Sequence, residues 1–240
     1  MPGHRRLVLM RQTWANIVWC HWPVPVEELQ AILPRGLEPD VFDGQAWVGL
    51  VPFSMQNLRI PGPFGFITRL LRSANFGEVN VRTYVKGPDG RTGVWFCTLD
   101  ADSMAAVATA NAAFGLPYRV AKTSFTHEKG LLRWYSQRRG DRAIASLEVK
   151  LGDAPSRPSA SGLETFLFER YSLYSIWHGI LIRGELSHVP WTVKPVDLVS
   201  VETHTLEAAG FNVSGKPHVF AGEAVEVSIH PMKIVRRNHD

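Results

Sequence analysis

The residues best suited to chemistry stand at alternate positions of one segment, FGEVNVRTYV, which carries Glu78, Asn80, Arg82 and Tyr84. Alternation along a strand places these four side chains on one face, opposite three valines and a threonine. Such a polar face either meets solvent, as on the outer side of an antiparallel sheet, or lines a cavity. Charged groups in a cavity are costly unless they pair with each other or with a ligand. An inward Glu–Arg pair is suited to holding a small organic acid, because arginine binds a carboxylate through two parallel hydrogen bonds.

A second polar group comes later in the chain. The segment FLFERYSLY carries Glu169 and Arg170, and the segment SHVPW carries His188 and Trp191. A histidine can donate a proton near neutral pH. In the functional interpretation, Glu169 or Arg170 meets His188 at the mouth of the cavity, and Trp191 contacts the ligand. In the alternative, the two charges compensate a helix end or form an ion pair with another element.

The elements that must position these side chains are mainly strands. Runs such as TWANIVWCHW, QAWVGLVPFSMQNLR and RTGVWFCTLDA predict strands, and the GPDG turn at 87–90 closes a hairpin. Asp102 or Ser103 is predicted to cap an alanine-rich helix that stops at Gly115. About nine strands and three helices predict an α+β, β-dominated fold. We expect an antiparallel, closed or nearly closed β-barrel or sandwich with two or three peripheral helices, formed as a single domain by residues 1–240.

Composition narrows the function classes. The nine histidines form no HExxH motif, and neither GxGxxG nor GxxxxGK[ST] occurs, so we expect no metal and no organic cofactor. The net charge of +4 is dispersed, which argues against nucleic-acid binding. No apolar run reaches the length of a membrane span, and no secretory signal opens the chain. The expectation is a cytoplasmic protein with free thiols at Cys20 and Cys97, either monomeric or a homo-oligomer.

One stretch, LDADSMAAVATANAAFGLPYRVAKTS, joins an acidic turn at 99–102, the alanine-rich helix and a new strand that begins after Gly-Leu-Pro at 115–117. It resembles the acetoacetate decarboxylase signature, in which an Asp-x-Asp turn and an Ala-rich helix lead to a Pro-Lys-Lys strand start. With the opening HWPV…LP…DVFDGQAWVGLVPF, and with FLFERYSLY and SHVPW, residues 10–230 or so are similar to an uncharacterised bacterial branch of the acetoacetate-decarboxylase-like superfamily. The resemblance implies a small organic acid or carbonyl ligand, with Arg82 as carboxylate anchor and Glu78 as proton shuttle or charge partner.

The chain departs from the signature where the decarboxylases carry a lysine that forms a Schiff base with the keto acid. Tyr118 and Arg119 occupy the two lysine positions, and neither can form that imine. The resemblance then implies that Tyr118 donates a hydrogen bond to a carbonyl oxygen and that Arg119 contacts the ligand. Lys122 falls on the same predicted strand face as Tyr118. It is either a surface residue or a relocated Schiff-base lysine.

Two function classes remain open on the sequence. The first is a binder of a small carboxylate or carbonyl compound that kept the family fold after losing the nucleophile. The second is a lyase or isomerase that uses acid–base chemistry through Glu78, Arg82 and Tyr118. A cavity filled by some of the eight tryptophans would favour a structural role instead.

Overall fold

A computed structural model describes residues 7–62, 75–152, 157–159 and 162–235. Within these residues the strands β1 to β16 span, in chain order, Met10–Ala15, Val18–Val24, Glu38–Pro39, Ala46–Arg59, Phe76–Lys86, Thr92–Ala101, Tyr118–Glu128, Leu131–Arg138, Ile144–Leu151, Arg157–Pro158, Ser172–Trp177, Ile180–Ser187, Thr192–Glu202, His218–Gly222, Val225–Ile229 and Lys233–Ile234. The helices α1 to α4 span Val26–Ile32, Met104–Phe114, Gly162–Phe168 and His204–Ala208. The predicted β-dominated α+β class is confirmed. The count of strands exceeds the prediction partly because β3, β10 and β16 have two residues each, too few to produce an alternating pattern.

The strand pairings close on themselves. Twelve strands form a ring in the order β1, β15, β12, β11, β6, β7, β8, β9, β13, β14, β2 and β4, and β4 pairs again with β1. β5 lies between β4 and β6 and pairs with both, so that it connects two points of the ring. The sheet is mixed, because β6 runs parallel to β7 and to β11. The β6–β7 pair is parallel because α2 returns the chain across the sheet before β7 begins.

The helix α2 has the boundaries that the sequence predicts. The Ser103 hydroxyl accepts a hydrogen bond of 3.3 Å from the Ala106 amide, which satisfies one free donor of the first turn. At the other end Gly115 has φ +60°, a left-handed conformation that glycine adopts without steric cost. Both ends of the crossover between β6 and β7 are therefore fixed by local side-chain chemistry.

The two faces of β5 meet different surroundings. Val79, Val81 and Val85 pack into a hydrophobic core that includes Leu132 and Trp134 of β8. These valines therefore face other strands of the ring. The opposite face of β5 carries the glutamate, asparagine and arginine predicted to share one side, and it borders a second core and a cavity. β5 therefore separates a hydrophobic core from the cavity.

Candidate functional site

The cavity lies between β5, β6, α2 and the strands of the β1–β15–β12 side of the ring, and its volume is about 230 Å³. Most of its wall is apolar, with contributions from Phe53, Phe76, Phe96 and Phe114. The polar or charged residues of the wall are Gln12, Glu78, Asn80, Arg82, Ser103, Thr109, Tyr118, Arg170 and His188. Tryptophan side chains line the cavity without filling it.

Glu78 and Tyr118 form a short polar contact between two residues of the wall. The Tyr118 hydroxyl donates a hydrogen bond of 2.7 Å to Glu78 Oε2, and Asn80 Nδ2 donates one of 3.4 Å to Oε1. Glu78 is only 2% exposed. Burial raises the pKa of its carboxyl from 4.5 to about 7, against the lowering effect of the two donors and with a further rise from Asp100. The carboxyl therefore changes charge near neutral pH.

Asn80 and Arg82 carry hydrogen-bonding capacity that the described residues leave unused. Asn80 Oδ1 and Arg82 Nε are buried and have no partner among those residues. Arg82 Nη2 donates to the carbonyl of Leu167 at 3.2 Å, and no carboxylate of the described chain contacts its guanidinium. Burying such groups without partners costs about 1–3 kcal/mol each, more for a charged group. A ligand in the cavity would relieve that cost.

A second guanidinium lies close to Arg82. Arg170 Nη1 pairs with Asp40 at 2.6 Å, and its Nε donates to the carbonyl of Phe166 at 2.5 Å, while Nη2 is buried without a partner. The Cζ atoms of Arg82 and Arg170 lie 5.7 and 4.9 Å from the centre of the Tyr84 ring. Burial and the nearby charge of Arg82 lower the pKa of Arg170, and Asp40 opposes that effect. Asp40 therefore pairs with only one of these two neighbouring cations.

Tyr84, the fourth polar residue predicted on this face, does not line the cavity. Its hydroxyl donates to the Leu167 carbonyl at 2.9 Å and lies 2.6 Å from Nε2 of buried His21. Because that hydroxyl has one hydrogen, the His21 ring must donate to it. Tyr84 lies outside the cavity because α3 covers this end of β5. The hydrogen bond of Tyr84 to Leu167 holds α3 in place.

Three residues of the second predicted group, Arg170, His188 and Trp191, line the cavity. His188 lines the cavity, its ring stacks on Tyr171 at 4.6 Å, and its Nδ1 donates to the carbonyl of Val189 at 2.7 Å. Trp191 also lines the cavity, and its amide donates to Glu169 Oε1 at 2.8 Å. Glu169 accepts a second bond from Tyr171 and is not part of the wall. It therefore positions Trp191, while Arg170 and His188 reach the cavity separately.

Lys122 and Arg119 are exposed and lie outside the cavity wall. For Lys122 this is the surface alternative that the sequence left open, whereas Arg119 was expected to contact the ligand. Only the first residue of β7, Tyr118, reaches the cavity, because the strand then continues along β8, where Lys122 pairs with Gln137. The structure describes all seven lysines of the chain, and none of them lines the cavity.

Sequence reasoning missed three polar residues of the wall, Gln12, Ser103 and Thr109. Gln12 of β1 is 4% exposed and has a buried Oε1 without a partner among the described residues. The signal was available, because Met10, Gln12 and Trp14 alternate along β1 and all line the cavity. Within the described ranges, no cluster of three metal-ligating side chains occurs. No helix among the described residues is long and apolar enough to cross a membrane.

Comparison with solved structures identifies the fold as acetoacetate-decarboxylase-like, which confirms the resemblance. The enduracididine biosynthesis enzyme MppR complexed with pyruvate superposes with a TM-score of 0.67 at 13% identity, covering 99% of this chain and 95% of that one. The acetoacetate decarboxylase of Legionella pneumophila superposes with a TM-score of 0.66 at 17% identity, covering 99% and 93%.

Within that fold, the chain belongs to the DUF2071 family, described as an uncharacterized conserved protein, which matches residues 11–226. The uncharacterized protein YqjF of Bacillus subtilis (strain 168) is 34% identical over 199 residues, which are 82% of this chain and 80% of that relative.

Proposed function

We propose that the cavity binds a small organic acid or carbonyl compound without a covalent imine. The observation that carries the proposal is buried Arg82, which lines the cavity without a carboxylate partner among the described residues. An unpaired buried cation is expensive, and a ligand carboxylate would both neutralise it and accept two of its hydrogen bonds. The similar fold of MppR, which was solved in complex with pyruvate, supports a keto acid as a first probe.

The reaction of the decarboxylases is not part of this proposal. Imine formation needs a lysine amine next to the bound carbonyl group, and the lysines of this chain lie outside the cavity wall. Tyr118 stands where the resemblance places the nucleophile, and its hydroxyl can donate a hydrogen bond to a ligand oxygen in place of Glu78. The expected chemistry at that point is polarisation of a carbonyl group.

A second candidate function is acid–base catalysis of the lyase or isomerase type. The observation that favours it is the pKa of Glu78, which burial raises to about 7. A carboxyl with that pKa is present in both protonation states at neutral pH and can take a proton from carbon and return it. Tyr118 would stabilise the enolate oxygen that develops when the proton leaves.

Titration with keto acids tests the binding proposal, with intrinsic tryptophan fluorescence as the signal. We expect Arg82→Gln to weaken binding about ten- to a hundredfold, the effect of losing a charge-assisted hydrogen bond of roughly 1.5–3 kcal/mol. Arg119→Gln removes the same charge from an exposed position and serves as the matched control. Equal affinities of the two variants, both shown to be folded by circular dichroism, would refute the role of Arg82.

Two further measurements separate the reaction classes. Borohydride reduction with a panel of keto acids and aldehydes should leave the protein mass unchanged, whereas an adduct on Lys122 would restore the imine mechanism. Proton exchange of a bound keto acid in deuterated buffer, followed by NMR, tests the acid–base alternative. Loss of the exchange in Glu78→Gln would establish acid–base catalysis. If the unaltered protein shows no exchange, only the binding function remains.

A further inference from the structure

We infer that the ligand is a monocarboxylic acid of about six to eight carbons in all, with an apolar body, rather than a short polar keto acid. This inference rests on the proposed function and specifies the class of acid. It follows from three properties of the cavity: the composition of its wall, its volume and the arrangement of its charges.

Most of the wall of the cavity is apolar. Aromatic and aliphatic side chains come to it from β4, β6, α2 and β15, and they include Phe53, Met55, Phe96, Phe114 and Ile229. A ligand with two or three carbons would leave most of this surface against water or empty space. Burial of apolar ligand surface against it is the main source of binding free energy that such a wall offers.

The volume sets the size of the apolar body. A cavity of about 230 Å³ holds roughly eight groups the size of a water molecule, at about 30 Å³ each. A methylene group and a carboxylate oxygen are each of about that size. An unbranched acid of six carbons, or an aryl acid of similar volume, would fill the cavity, and a much longer chain would not fit within it.

The charges fix one end of the ligand. Arg82 and Arg170 both line the cavity, lie within 6 Å of the same Tyr84 ring, and each have one buried nitrogen without a partner. Asp40 pairs with Arg170, which leaves Arg82 without a carboxylate contact among the described residues and available to one ligand carboxylate. Among the described residues, no third guanidinium lines the cavity, so a second carboxylate at the far end of the ligand would be buried there without a counterion from them.

The test is a chain-length series from acetate to decanoate, together with pyruvate, hexanedioate and hexanol. Trp14 and Trp191 line the cavity and report binding through their fluorescence. We expect Kd to fall about fourfold for each added methylene group up to six to eight carbons, and then to level off. Hexanedioate and hexanol should bind at least tenfold more weakly than hexanoate.

A variant that fills part of the cavity tests whether the dependence of Kd on chain length arises at this site. Ala110 lines the cavity from α2, whereas Ala108 lies on the solvent face of the same helix. We expect Ala110→Phe to abolish the gain from chain length while butanoate still binds, and Ala108→Phe to leave the series unchanged. Equal loss in both variants would place the binding elsewhere and overturn the inference.

The outcomes separate the inference from the function on which it rests. Pyruvate or acetate binding as tightly as hexanoate would overturn the apolar body and leave the organic-acid proposal standing. Hexanol binding as tightly as hexanoate would overturn the role of the carboxylate. If no acid, keto acid or aldehyde binds, both the inference and the proposed function are refuted.

Discussion

Replacement of Glu78 by glutamine tests the electrostatics of the cavity through the stability of the fold. Glutamine keeps the shape of the side chain and an oxygen that can accept from Tyr118, but it cannot ionise. The pKa of Glu78 is about 7 in the folded protein, whereas the usual value is 4.5. The folded state therefore holds a proton that the unfolded chain has already released, and stability falls as pH rises from about 4.5 to about 7.

The magnitude follows from the same pair of values. The difference corresponds to about 3 kcal/mol of unfolding free energy that is present below pH 4.5 and lost above pH 7. Glu78→Gln has no proton to release, so we expect it to match the unaltered protein at pH 4 and to exceed it by about 3 kcal/mol at pH 8.

Urea unfolding at a series of pH values, followed by circular dichroism, measures this difference. Glu128→Gln, at an exposed position of β7, is the control for loss of one negative charge. If the stability of Glu78→Gln falls with pH in parallel with that of the unaltered protein, the buried carboxyl does not titrate as described. A parallel fall would also remove the basis of the acid–base alternative.

Further predictions concern contacts around the cavity. Tyr118→Phe removes a donor that lowers the pKa of the buried β5 glutamate, so that pKa should rise further, as NMR titration of the carboxyl carbon would report. Arg138→Met should cost about 3–5 kcal/mol in urea unfolding, because it leaves Asp100 buried without its cation, and a weaker effect would mean that water reaches the carboxylate. Gly115→Ala should destabilise the protein by more than about 1 kcal/mol, since φ is +60° and an added Cβ would meet a β11 carbonyl. Gly130→Ala, also at positive φ but in open space, should cost less, and thermal melting of both variants would decide.

Local patterns in the sequence predicted the elements on which the site depends. The alternation along β5 placed Glu78, Asn80 and Arg82 on one face, and the shift in pairing between β5 and β6 leaves that alternation intact. The capping serine and the terminal glycine of α2 could be predicted for the same reason, because each acts on backbone groups only a few residues away.

Features that depend on contacts between distant segments could not be predicted from the sequence. The path of β7 along β8 is what carries Lys122 away from the cavity, although alternation alone put it beside Tyr118. The covering of Tyr84 by α3 depends on a contact between segments 83 residues apart. Pairing between remote strands leaves no mark in either segment alone, which also explains why the parallel partners of β6 were not predicted.

The position of β5 between a hydrophobic core and the cavity has a consequence for folding. A slip of one residue in its pairing with β4 and β6 would turn Glu78, Asn80 and Arg82 into the core around Trp134 and would turn the valines into the cavity. Both changes are unfavourable, so the correct register is selected on two faces at once. The amides of β5 should accordingly be among the slowest to exchange with deuterium, opening only when the whole domain unfolds.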